Sequence, residues 1–198
     1  MRGRLALLRL VPLLVICIGI RAQETTWKID PLHSAAHFSV RHMMISTVRG
    51  DFGGVNGIMH YDPKNIASSK VEATIDCSTV NTNVAARDAQ MKTSDFFDVK
   101  KYPTMKFVST KVEQAGPGKL KVSGDLTINA ITKPVVLDVE GPSDSVKDAR
   151  GRVKVGLTAS TKINRKDWNI VWNEVLDSGG FAVADDVSIT LDIEFIKQ

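Results

Sequence analysis

The sequence predicts an all-β protein, a closed antiparallel barrel that is wet outside and apolar within. Three observations carry this: long segments alternate apolar and polar residues with period two, helical pattern is scarce, and the second face of each strand carries Lys, Glu, Asp, Ser and Thr.

In chain order, the first segment is an address rather than structure. Arg2, Arg4 and Arg9 precede an apolar run from Leu10 to Ile20, which ends at Ile20-Arg21-Ala22 before Gln23. The run is shorter than the roughly 20 residues a spanning helix needs, so residues 1–22 are expected to be a signal peptide and 23–198 the barrel domain, periplasmic or secreted. Removing residues 1–22 takes away four arginines and no acid, which leaves 22 basic against 22 acidic residues. A domain that bound phosphates would keep a basic excess, so nucleic acid is excluded as a partner. Cys77 is the single cysteine of the remainder, and no intrachain disulfide can form.

Strands follow one another. Thr26 to Asp30 and Ser34 to Val40 open the barrel, the latter with Phe38 and Val40 on its dry face. Val48 to Tyr61 reads as one long strand in which Gly53-Gly54 passes the dry face from Val48, Gly50 and Phe52 to Val55, Gly57, Met59 and Tyr61, as a β-bulge does. In Ser69 to Ser78 the dry residues are Val71, Ala73, Ile75 and Cys77. Val84 to Lys92 can make two helical turns after an Asn or Thr cap, Ser94 to Phe97 can start a second short helix, and Pro103 ends that region. Then come Thr104 to Val112, Lys119 to Ile128 with Leu120, Val122, Gly124 and Leu126 inward, Pro134 to Glu140, Arg152 to Ile163 with Val153, Val155, Leu157 and Ala159 inward, and Val187 to Phe195. Short turn signals such as Ala115-Gly116-Pro117-Gly118 favour antiparallel neighbours.

Each strand has one apolar face to bury and no helical layer to bury it against, which leaves a sandwich or a barrel. Strands of about nine to thirteen residues exceed the usual mean of five or six and favour the barrel, whose tilted strands run long. The charged outer face argues against stable membrane insertion. An eight-stranded barrel is either filled by side chains or holds one small ligand. Inward Ser34, Ala36, Gly50, Gly57, Ala73, Gly124 and Ala159 point to an underfilled lumen, walled by Phe38, Phe52, Ile75, Phe107, Leu126, Leu137 and Val155. Pattern alone leaves the packed and the hollow lumen both open.

The segments Trp27-Lys28-Ile29-Asp30, His33-Ser34 and Phe38-Ser39-Val40 resemble the opening of the YceI-like family, lipocalin-like exported proteins that bind polyisoprenoids. Arg87-Asp88, Lys92, Ser94 to Val99, Lys101-Tyr102-Pro103 and Phe107 are similar to that family's most specific stretch. Gly124-Asp125-Leu126-Thr127, Thr132 to Val135 and Ile163-Asn164-Arg165 with Asp167-Trp168 continue the resemblance across the chain. This chain departs from the family pattern at Ala89-Gln90-Met91, Ala130-Ile131 and Trp168. The resemblance implies an extended eight-stranded lipocalin-like barrel with one or two short helices near its mouth. It also implies a long polyisoprenoid or prenylquinone held in the lumen, polar end near the loops, with no separate cofactor. The expected partner is that apolar lipid, a homodimer being left open.

Candidate site residues therefore lie in the lumen (Phe38, Phe52, Ile75, Phe107, Leu126, Leu137, Val155) and at the mouth (Arg87, Asp88, Phe97, Trp168). Phe96, Tyr102, Trp172 and Phe181 join the last two as a lid or as an apolar cap. Arg87 and Asp88 can meet a polar headgroup or hold the short helix down. His33 and His37, read as lying on one strand, would sit about 13 Å apart and face outward, too far to share a metal ion, so no metal site is expected. Cys77 is expected to be buried and inert. No nucleophile has a recognisable base, so catalysis is not expected. The rivals are an enzyme acting on an isoprenoid headgroup, which requires Arg87, Asp88, His33 and Arg165 to converge, and a ligand-free interaction or stress protein, which requires a filled lumen.

Overall fold

The computed structural model describes residues 25–177 and 179–198; the leader predicted for 1–22 lies outside them. Eleven strands run in the order β1 (Thr25–Ile29), β2 (Ala35–His42), β3 (Ser46–Phe52), β4 (Val55–Tyr61), β5 (Lys70–Asp76), β6 (Thr104–Gly116), β7 (Lys119–Ile128), β8 (Ile131–Glu140), β9 (Val146–Lys147), β10 (Val153–Asn164) and β11 (Val183–Lys197). One helix, α1 (Ala85–Met91), falls between β5 and β6. All pairings are antiparallel, and the circuit β1-β4-β5-β6-β7-β8-β10-β11 closes where β11 returns to β1. This is an eight-stranded closed barrel, the one of the two solutions that the strand lengths favoured.

Two long arms account for the extra strands. β11 pairs with β2 along Val183 to Asp192 and with β1 from Phe195 to Lys197, so β1 and β2 follow one another along the same edge. β3 and β4 form the facing arm, β3 against β2 and β4 against β1. The expected bulge at Gly53-Gly54 is therefore a break between two strands, with Gly54 at φ 62°. The other arm breaks at the same level, over residues 30–34. The dry face still passes from Phe52 to Val55, both buried. His33 consequently sits in a turn, not on a strand with His37, and Cys77 opens a single 3-10 turn after β5, buried as expected.

Three further differences have local causes. In β6 the register shifts between Ser109 and Lys111, which moves the inward parity from Met105 to Val112, and the Ser109 hydroxyl accepts the Val71 N–H at 2.9 Å. The cap of α1 is Val84, with no side-chain bond, and residues 94–97 form turns rather than a second helix. β9, two residues long, was not foreseen; it pairs with β10 at Val153 and Lys154.

Burial follows alternation. Trp27, Ile29, Met59, Val122, Leu137, Val139, Ile193 and Phe195 belong to the buried core. The outer face carries cross-strand ion pairs, Lys106–Glu72 at 2.6 Å, Lys121–Asp138 at 2.7 Å and Lys162–Asp186 at 2.6 Å, each about half exposed and worth at most about 1 kcal/mol. Among the described residues no helix is long and apolar enough to cross a membrane.

Candidate functional site

Two apolar cavities lie one after the other along the barrel. The upper one, about 130 Å³, is bounded by Ala36, Phe38, Phe52, Met105, Ile128 and Ile189 on the walls, and by Met91, Phe97, Trp168 and Ile170 from the segments that cover the mouth. The lower one, about 100 Å³, is bounded by Val55, Met59, Val122, Leu137, Ala159 and Ile193. Each is somewhat smaller than an apolar cavity of about 150 Å³ that accepts a benzene-sized guest. The lumen is thus neither packed nor an open tube.

The register explains the division. Ile75 pairs with Met105 at the upper level, and Ala73, a lower-cavity residue, pairs with Phe107. Phe107 therefore stands between the two. Its ring lies over Gly124, where an added Cβ would fall 2.4 Å from Phe107 Cζ. Phe38 covers Gly50 in the same way, at 2.5 Å. These glycines do not leave the lumen underfilled, as the sequence reading held: each makes room for a neighbour's aromatic ring, and the voids lie elsewhere.

The mouth is roofed by side chains fixed from both sides. Phe52 meets Phe97 edge-on at 5.3 Å, and Phe96 meets Trp172 at 5.5 Å. Trp168 is fully buried, and its Nε1–H donates to Leu126 O at 3.1 Å. Arg165 holds the covering loop to the barrel. Its buried guanidinium donates to the carbonyls of Ile170 (2.7 Å), Trp172 (2.8 Å), Ala184 (3.0 Å) and Val183 (3.3 Å), with Asp185 at 3.6 Å. Burial lowers its pKa from the usual arginine value, partly opposed by Asp185. With its N–H groups engaged, Arg165 offers the upper cavity little beyond its stem.

Phe38, Phe52, Phe97 and Trp168 thus line the upper cavity and Leu137 the lower one. Ile75, Phe107 and Leu126 pack partly buried against the core, and Val155 is a buried core residue. Arg87 and Asp88 do not line either cavity. Arg87 donates to the hydroxyl and the carbonyl of Thr82 at 2.8 and 2.9 Å, and the Asp88 carboxylate accepts the Thr82 N–H at 2.8 Å. They hold α1 down, the second of the two roles considered. Met91 was not a sequence candidate, since nothing in a two-turn helix tells which side chain points inward; Met105 could have been found from its shared parity with Phe107.

His33 lies on another part of the wall. It contacts Asp30 Oδ2 at 2.9 Å and Glu194 Oε1 at 3.7 Å. Lys154 bridges the same two carboxylates, 3.1 Å from Asp30 and in hydrogen bond with Glu194. Burial by itself would raise the Asp30 carboxyl, but hydrogen bonds from His33, Lys154 and the Leu32 N–H outweigh it and hold it at about 2. His33 is exposed, as expected, and the donor atoms of Asp30, His33 and Glu194 fall within 4.8 Å of one another. The Lys154 ammonium offsets one of the two carboxylate charges, and the cluster ties the end of β1 to β10 and β11. Lys154 and Arg165 mark opposite ends of β10, so the four groups the enzyme reading required do not converge.

A model of the YceI-like domain matches residues 27–195. The chain belongs to the YceI-like family. A UPF0312 protein of Vibrio parahaemolyticus is 33% identical over 187 residues, 93% of this chain and 94% of that one. Among solved structures, Burkholderia cenocepacia BcnA superposes with a TM-score of 0.71 at 25% identity, over 84% of this YceI-like chain and 98% of its own. A polyisoprenoid binding domain from Saccharophagus degradans, implicated in plant cell wall breakdown, shares the fold, with a TM-score of 0.61 at 15% identity over 89% and 100% of the two chains.

Proposed function

We propose that this YceI-like barrel holds a long apolar chain of isoprenoid type, a polyisoprenoid or a prenylquinone, and sequesters or carries it through an aqueous compartment outside the cytoplasm. The observation that carries the reading is the pair of apolar cavities in line along the barrel, with the mouth roofed by aromatic side chains. The likeness to a domain described as polyisoprenoid-binding supports it.

Apolar burial supplies the affinity. Each buried methylene contributes roughly 0.8 kcal/mol, so a few isoprene units offset the cost of immobilising the chain without specific polar contacts. A chain that occupies both cavities needs Phe107 to turn away from the level between them; narrower or shorter guests fill one cavity alone.

The test is organic extraction of the protein purified from its own cells, followed by mass spectrometry, with prenylquinones of graded length offered to the emptied protein. A bound prenyl chain is expected, and Phe107→Ala should lengthen the chain accepted. If extraction yields no apolar molecule and no prenylquinone binds, the proposal fails. For the export that the reading includes, a mature N-terminus at Gln23 is expected, and recovery of the uncleaved chain from the cytoplasm would refute it.

A further inference from the structure

The mouth of the barrel carries an apolar rim that its own fold does not bury. The hairpin between β2 and β3 turns through Met43 and Met44 at φ 50° and 61°, the left-handed region that Asn, Asp and Gly tolerate and Met does not favour. The side chains set on this turn point to water: Met44 is 68% exposed and Ile45 79%. Beside them, the Met43 N–H donates to Ala182 O at 2.7 Å. The preceding Phe181 is bridged to Val175, and these two are exposed at 57% and 72%.

The rim adjoins the upper cavity, because Val183, which lines that cavity, pairs with His42 at the base of the hairpin. Charges of both signs surround it, with Glu174 and Asp177 beside Val175 and Arg41 at the hairpin. Lys166 pairs with Asp185 at 2.9 Å and lies 5.7 Å over the Phe181 ring, Lys162 pairs with Asp186, and Arg41 donates to Met44 O and the Thr47 hydroxyl. Contiguous exposed apolar side chains mark an interaction site, and among the described residues the charges around this one are of mixed sign rather than a patch of one sign.

We infer that this rim docks reversibly on a lipid bilayer, with Met44, Ile45, Val175 and Phe181 entering the interfacial layer and the barrel mouth turned towards the acyl chains. The hairpin tip, residues 43–45, lies beyond the last pair with β11 with its apolar side chains exposed; a fluid layer accommodates such a tip, whereas a protein partner needs a matching hollow. The choice of a bilayer rests on the lumen reading, since a chain that partitions from water must be collected from lipid.

The test compares the protein purified from its own cells with Met44→Asp/Ile45→Asp and, separately, Val175→Asp, in flotation with neutral phosphatidylcholine vesicles at low and raised salt. Every comparison keeps the same N-terminus. The parent is expected to float at both salt concentrations, and the double variant to bind at least about tenfold more weakly with an unchanged melting profile. Equal flotation of parent and variants, a requirement for anionic lipid lost in raised salt, or a concentration-dependent dimer abolished by the variants without vesicle binding would overturn the inference. Extraction of lumen lipid from the same samples separates the two proposals. Docking without any lumen ligand sinks the carrier reading and leaves this one standing, and a lumen ligand without docking does the reverse.

Discussion

Replacing Asp30 with Asn tests the buried tie on the barrel wall. Asn keeps the shape and can still accept the Leu32 N–H, which is 3.1 Å from Asp30 Oδ1, but it loses the charge that faces Lys154 and His33. The carboxyl falls from 3.8 to about 2 on folding, and Asp30 is nearly inaccessible to solvent, so the preference of the folded state for the carboxylate corresponds to about 2 kcal/mol. Because the folded pKa is the lower one, this stabilisation is present above 3.8 and is lost as pH falls through about 2. At neutral pH the variant should therefore unfold at lower urea, with a melting temperature lower by roughly 4–8 °C. Urea titrations followed by tryptophan fluorescence across the acid range should show the two proteins converging as pH approaches 2. A variant as stable as the parent at neutral pH, or a gap that stays constant on acidification, would refute the assignment.

Arg165→Met should leave four carbonyls without their donor, cost on the order of 3 kcal/mol, and speed amide exchange in residues 170–183 while β7 and β8 stay protected. Arg165→Lys should restore little of this, since an ammonium cannot span the same carbonyls. Gly124→Val forces a Cβ onto the Phe107 ring and should destabilise the barrel by about 1–3 kcal/mol in thermal unfolding; Phe107→Ala in the same chain should recover part of the loss. Burial, with the Asp76 charge adding to it, pushes the Cys77 thiol up to about 11, so alkylation by iodoacetamide at mildly alkaline pH should require unfolding, and rapid labelling of the native protein would contradict this.

What was legible in the sequence is what depends on neighbours along the chain. Alternation in β7 and β11 reports one wet and one dry face directly, because a strand buried on one side has no other way to satisfy both environments. One uncovered face per strand left a sandwich or a barrel, and strand length favoured the closed circuit. Features set by contacts between distant residues were not legible. Glu194 and Lys154 meet Asp30 and His33 only after the barrel closes, and no local pattern announces the pairing. Gly124 read as empty space because its occupant, Phe107, comes from the neighbouring strand. Arg87 and Asp88 were visible as a motif, yet the motif could not say whether the side chains face a ligand or Thr82.

The position of β11 in the circuit bears on how the chain reaches its folded state. This final strand zips along the whole of β10 and also receives β1 and β2, so that Trp27 lies beside Lys197. The two ends of the described chain must therefore meet before the wall is continuous. A nascent chain still lacking β11 presents β1, β2 and β10 with unpaired edges. Closure is then a late, long-range event, slow compared with the β6-β7-β8 meander that forms from adjacent segments. Until it happens, the lumen faces are open to other chains, so aggregation competes with folding, and loss of a few C-terminal residues should harm yield more than loss of a surface loop.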